Sequence, residues 1–373
     1  MKKLSLYAAL IPLIILSLTP PWTFALSCNI NSLIWLWAVF TSGFLTFLFL
    51  YQKVSVWLKL FLIWAFIGCF ISRAPYLSFT MFWTLIVCAY YYALCLKIDD
   101  FAPVKKTIQA IFFFVTLLII MQCFGLDTLL NFNQKVPVVL GTIGNRMILS
   151  SFVCILAPFL IFTPLNWIPL IIISFISQSS GAVFSLGAGG IVYAWAKFKK
   201  LRIAIISIIV LVAIIFVLKT SDWTHFIGAG RLPVWKRTAE LILKEPLGYG
   251  IATYKVLFPI LSEDLPSSQP VADSFSWRYE GTSGRGMAWR RTHNSWLQLP
   301  FEAGIPGFIL FLGFIISIVI KVKDPVKLSG LVILGANMCV HFPDRMVQSV
   351  LIMIMFLAFC EINTNQRKGF SNA

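Results

Sequence analysis

Charge is scarce in this 373-residue chain: only 12% of its residues are charged, against about a quarter in soluble domains. Acidic residues are scarcer still, 14 against 30 Lys and Arg, and histidine occurs three times. The eight cysteines form no Cys-x-x-Cys pair and fall mostly within apolar runs. That pattern excludes a disulfide framework and a cysteine-based zinc site. No Gly-x-Ser-x-Gly elbow and no Walker glycine loop occurs, which removes the serine-hydrolase and P-loop ATPase readings. Metal-ligand spacings such as Asp-x-Asp or His-x-x-x-His are missing from its polar stretch, so no metal site and no cofactor are expected. No internal repeat, parallel or inverted, is visible.

What the chain has instead is apolar length, 59% hydrophobic and 15% aromatic. A bilayer-spanning helix needs about 20 apolar residues, because lipid offers backbone groups no partner. Such runs occupy roughly 4–20, 33–51, 56–72, 76–96, 107–124, 143–163, 165–178, 181–196, 203–218, 301–320, 328–342 and 346–361. The fold class expected is therefore an all-α polytopic membrane protein of about 12 transmembrane helices. The opening Met1-Lys2-Lys3 with its apolar run resembles a signal peptide and is read as an uncleaved first helix.

Short connections on one side collect Lys2, Lys3, Lys53, Lys105, Lys106, Lys197, Lys321, Arg367 and Lys368 among others, whereas the opposite side holds Arg73, Lys135, Arg146, Lys219 and Arg345. The positive-inside rule then places both termini in the cytoplasm and one large loop outside it. The net charge of +16 is spread over helix ends rather than gathered in a basic stripe, so nucleic-acid binding is not expected. The chain divides into an N-terminal bundle at 1–218, an extracytoplasmic loop at 219–300 and C-terminal helices with a short tail at 301–373.

The loop is the only long piece unsuited to lipid. Within it Pro233 to Lys244 predicts a short helix, opened by Pro233 and ended by Pro246, with Val234, Trp235, Leu241 and Ile242 on one face. A second amphipathic stretch spans Ile251 to Leu261, and 262–287 is rich in Ser, Pro and Gly. Arg231, Lys236, Arg237, Arg290 and Arg291 together suit a pyrophosphate, since guanidinium grips phosphate in paired hydrogen bonds. The plainer alternative is a solvated basic loop paired with its own acids and with lipid headgroups. His293 stands where the loop returns to apolar sequence and suits proton acceptance near neutral pH. Its plainer alternative is an interfacial histidine packed beside Trp296. His341 reads as a helix-end residue, and His225 has no distinguishing neighbours.

Several stretches, in order, look like the signature of the O-antigen ligase and polymerase family. They are Gly141 to Arg146, Ser177 to Ala182, Gly230-Arg231-Leu232-Pro233-Val234-Trp235, Glu245-Pro246-Leu247-Gly248-Tyr249-Gly250, and His293-Asn294-Ser295-Trp296-Leu297-Gln298 followed by Glu302-Ala303-Gly304-Ile305-Pro306-Gly307. The resemblance covers about residues 140–320. One departure is Ser180, where many members carry Arg.

The resemblance implies a type C glycosyltransferase architecture in the bacterial inner membrane, with its active site on the periplasmic side. It implies an undecaprenyl-pyrophosphate-linked glycan as donor, lipid A-core or another glycan as acceptor, and no metal or nucleotide. Carried onto this sequence, it makes His293 and Arg231 the catalytic pair, and Arg237, Arg290, Arg291, Asn294 and Arg146 the substrate-binding set. A ligase is expected, and a polysaccharide polymerase is the alternative. A protein-directed oligosaccharyltransferase ranks below both, because those members carry a C-terminal soluble extension. A membrane transporter is the rival from another class, and it requires ionisable residues near the bilayer midplane.

Overall fold

The computed structural model describes residues 7, 10, 54–98, 100–124, 146–160, 169–170, 173, 180–198, 200, 231–262, 292–340 and 347–362. The expected runs at 4–20, 33–51, 165–178 and 203–218 lie wholly or largely outside these residues, as do His225, His341, Arg290 and Arg291. Ten helices have described bounds: α1 Val56–Ile71, α2 Pro75–Cys95, α3 Ala102–Cys123, α4 Arg146–Leu160, α5 Ser180–Lys197, α6 Leu232–Lys244, α7 Tyr254–Leu261, α8 Ser295–Val319, α9 Pro325–Val340 and α10 Val347–Glu361.

Among the described residues every regular element is helical. Three helices are long and apolar enough to cross a bilayer, at Pro75–Cys95, Ala102–Met121 and Ser295–Val319; four further apolar helices are shorter. Large apolar side chains cover their outer faces, among them Phe70 and Phe113, 65% and 59% exposed. A soluble protein does not leave so many such residues open, and lipid accepts them.

The third helix begins at Ala102, five residues before the expected 107. Asp100 accepts the Ala102 N–H through its side chain at 2.8 Å. That cap satisfies an otherwise orphaned donor and lets Lys105 and Lys106 ride within the first turns.

The described residues fall into two compact units. One comprises residues up to 58 together with 83–205 and 313–373. Its centre is α4, whose described side chains from Ser151 to Leu160 are all buried; α3, α5, α9 and α10 pack against it. Several polar groups there are matched in pairs. Ser151 Oγ meets Asn337 Oδ1 at 3.0 Å, the Asn337 amide donates to the Ser151 carbonyl at 3.1 Å, and Ser329 donates to the Gly189 carbonyl at 2.7 Å. Between apolar helices in lipid, hydrogen bonds and close contact replace the hydrophobic drive.

The other unit comprises residues 59–82 and 206–312. It carries α6, α7 and the first part of α8. Its core is Val234, Leu241, Ile242, Tyr249, Tyr254, Phe258 and Phe301. Tyr249 stacks on Phe301 with centroids 4.5 Å apart, and Tyr254 stacks on Phe258 at 4.6 Å. The polar segment therefore docks on α8 through a ring cluster.

Candidate active site

α6 begins where expected. Leu232–Lys244 has Pro in its first turn and buries Val234, Thr238, Leu241 and Ile242, a stripe at helical spacing. Thr238 takes the place expected of Trp235. Trp235 is half-buried instead, and its indole donates to the Thr292 carbonyl at 2.7 Å. Arg231 caps the same turn, its carbonyl accepting the Trp235 N–H at 2.8 Å. One tryptophan thus joins the turn of Arg231 to the residue preceding His293.

His293 has φ 52, the left-handed region that a side-chain-bearing residue seldom occupies. Such strain costs on the order of 1–3 kcal/mol and persists only where neighbours impose it. Here the imposing neighbour is Thr292, fully buried, whose hydroxyl donates to the Asn294 carbonyl at 2.6 Å and accepts the Asn294 N–H at 3.0 Å. The hydroxyl thereby closes the turn over His293, two residues before α8 begins at Ser295. Asn294 Oδ1 caps that helix by accepting the Leu297 N–H at 3.3 Å, and the Asn294 carbonyl accepts the Gln298 N–H at 3.0 Å.

Arg237 lies two turns along α6 from Arg231. Its guanidinium meets Glu240 at 3.4 Å and donates to the Leu261 carbonyl at 3.2 Å, tying α6 to the end of α7. Of the expected substrate-binding set, Arg146 opens α4 in the other unit, and nothing of its side chain is described. The Trp235–Thr292 bond therefore links the backbone turn at Arg231 to the Thr292–Asn294 turn, and Arg237 lies on the helix that Arg231 caps. Ser180, the departure from the family pattern, is the first residue of α5. Among the described residues no three His, Cys, Asp or Glu side chains converge.

The glycines of the two signature stretches form one crossing. α8 breaks at Gly304, φ 72 and ψ 172, and the chain of Pro246 to Gly250 passes through the break. A Cβ on Gly304 would lie 2.4 Å from the Leu247 carbonyl carbon, and one on Gly248, φ 88, would lie 2.3 Å from the Gly304 nitrogen. Only residues without Cβ permit two backbones to approach this closely. The crossing is held by Tyr249 N–H to Phe301 O, Gly250 N–H to Glu302 O and Ile305 N–H to Pro246 O, at 2.8 to 2.9 Å.

Sequence reasoning missed the turn between α1 and α2. Arg73 pairs with Glu245 at 3.0 Å and lies 5.0 Å over the Tyr249 ring, while its N–H donates to the Tyr249 carbonyl. Ser78 donates to Ser72 Oγ at 2.7 Å and to the Ile251 carbonyl at 3.0 Å. Burial pushes the Tyr249 phenol above its ordinary pKa, against the opposing pull of Arg73. Tyr254 is likewise raised by burial. Both rings are neutral at physiological pH and serve as core. Beside the crossing, Pro246, Leu247, Ile305, Pro306, Ile309 and Leu310 line a wholly apolar groove of about 500 Å³.

These features define a helical membrane protein whose polar segment, carrying an arginine and a strained histidine, is pinned onto a broken apolar helix. Residues 165–312 match the family described as O-antigen ligase. The matched stretch is similar to that family and includes α6, α7 and the His293 turn. No curated protein matches the chain.

Replacing Arg231 with Lys keeps the charge and removes the planar fork. If Arg231 meets charge that develops on a phosphate leaving group, kcat is expected to fall tenfold or more in this variant. Wild-type kinetics in the purified Lys variant would argue against paired contacts to phosphate.

Proposed function

We propose that the protein is an O-antigen ligase-type glycosyltransferase acting at the periplasmic face of the inner membrane. The donor is a glycan on undecaprenyl pyrophosphate, and the acceptor is a sugar hydroxyl of lipid A-core. The observation that carries this reading is the Trp235–Thr292 hydrogen bond, which ties the Arg231 turn to the His293 turn inside the family's domain.

In this reaction the acceptor hydroxyl loses its proton to the His293 ring, and its oxygen forms a bond to the anomeric carbon. The bond from that carbon to the pyrophosphate oxygen breaks, and the electron pair leaves with the pyrophosphate. Arg231 meets the charge left behind, and a preorganised cation acts most strongly where charge develops during reaction. The wholly apolar groove beside the crossing is consistent with a lipid-borne donor.

The deciding experiment incubates purified protein with carrier-linked glycan and either lipid A-core or further carrier-linked glycan. Growth of glycan on lipid A-core supports a ligase, and lengthening of the carrier-linked chain would make the protein a polymerase. Activity is expected to persist in EDTA. A loss in EDTA that magnesium restores would contradict the metal-free mechanism.

A further inference from the structure

Glu302 is the one carboxylate built into the broken helix, and it is 2% exposed. Its Oε2 accepts the Ala252 N–H at 2.9 Å, and its Oε1 accepts the Gln298 amide N–H at 2.9 Å. The two bonds lead in different directions. Ala252, itself left-handed at φ 65, begins the approach to α7. That helix is tied to α6 by Tyr254 with Thr238 at 3.0 Å and by the Leu261 carbonyl with Arg237. Gln298 leads the other way: its backbone N–H reaches Asn294, the residue after His293.

We infer that Glu302 is a positioning residue, its two carboxylate oxygens joining the arm that carries Arg231 to the arm that carries His293 and so fixing the approach of the two groups. This inference rests on the ligase-type reading for its effect on transfer, and on geometry alone for its effect on His293. A charged acceptor is well suited to the task, since a carboxylate accepts on both oxygens and a buried donor left unmatched is costly.

The orphaned atom in this network makes the inference testable. Gln298 is 4% exposed, and its Oε1 has no hydrogen-bond partner. In Glu302→Gln the new amide keeps an acceptor for Ala252. Its NH₂ then finds the Gln298 carbonyl oxygen after one flip of the Gln298 amide. The network survives with its charge removed. Glu302→Met has similar volume and no comparable acceptor, so the link through this carboxylate is lost while the Trp235–Thr292 bond remains.

The test uses full-length protein with His225→Gln and His341→Gln, leaving His293 as the only histidine. Ring-nitrogen resonances of ¹⁵N-labelled His293 are recorded in lipid, alongside transfer kinetics. In Glu302→Met the His293 resonances are expected to move and broaden, and kcat to fall at least a hundredfold with donor KM within about threefold. In Glu302→Gln the resonances are expected to return, with kcat within about fivefold of the parent. Unmoved resonances in Glu302→Met would overturn the inference. So would an inactive Glu302→Gln with parental resonances, because that result assigns the carboxylate a charge-dependent role in the chemistry.

Where Glu302→Met fails to accumulate, Gln298→Met severs only the arm to His293. It is expected to move the same resonances, and their invariance would likewise overturn the inference. If the parent itself transfers no glycan, the ligase reading fails while the resonances still decide the placement of His293.

Discussion

Replacing His293 with alanine is expected to lower glycan transfer at least a hundredfold while leaving the protein folded and inserted. A general base contributes about 10²–10⁴ in rate, and the printed bonds that hold the turn come from other side chains. The turn is held by Thr292 through its hydroxyl and by Trp235 through its indole, neither of which depends on imidazole. An alanine at φ 52 bears the same backbone strain as histidine, so the substitution removes chemistry and little stability. The measurement is transfer from carrier-linked glycan by protein whose thermal unfolding in detergent matches the parent. Undiminished transfer by a well-folded variant would remove His293 from the mechanism.

A substitution at Gly304 is expected to act through the fold instead. A methyl group there would lie 2.4 Å from backbone atoms of Leu247, and a non-glycine residue at φ 72 carries its own strain. Backbone in this positive-φ, extended region, essentially reserved for glycine, costs about 1–3 kcal/mol and overpacking about 1–3 kcal/mol, so Gly304→Ala should destabilise this unit by roughly 2–6 kcal/mol. The crossing opens, and the polar segment loses the three hydrogen bonds that seat it on α8. The expected result is a lower midpoint in thermal unfolding together with loss of transfer. A variant as stable and active as the parent would mean that the two backbones do not need this closeness.

Much of this architecture was legible from local pattern. Two prolines bracket α6, and the observed Leu232–Lys244 begins one residue before the expected Pro233. The second amphipathic stretch was read from Ile251, but its helix starts at Tyr254 because Gly250 and Ala252 take left-handed conformations. The largest difference is at α8. Its apolar run suggested a helix from 301, whereas the helix begins at Ser295 under the Asn294 cap and accommodates Pro300 and Pro306.

Glu302 enters the sequence reading only as part of the signature stretch, and the structure buries it. Its fate is decided by Ala252, fifty residues earlier in the chain, and no periodicity reports a partner at that separation. The same holds for Ser72, Arg73 and Ser78. Their partners lie more than 170 residues away for Glu245, Tyr249 and Ile251, so they register in sequence only as a polar turn between two apolar runs. His293 and Arg231 were legible because unusual residue types recur in a signature order, although what joins them, an indole to a carbonyl, was not.

The stretch from 263 to 291 leaves α7 just after Leu261, which Arg237 holds, and rejoins the chain beside Thr292, which Trp235 holds. Both anchors belong to one helix, so α6 holds the two stumps together. Natural or engineered chains of different length and composition can be grafted between them without disturbing the register of the histidine.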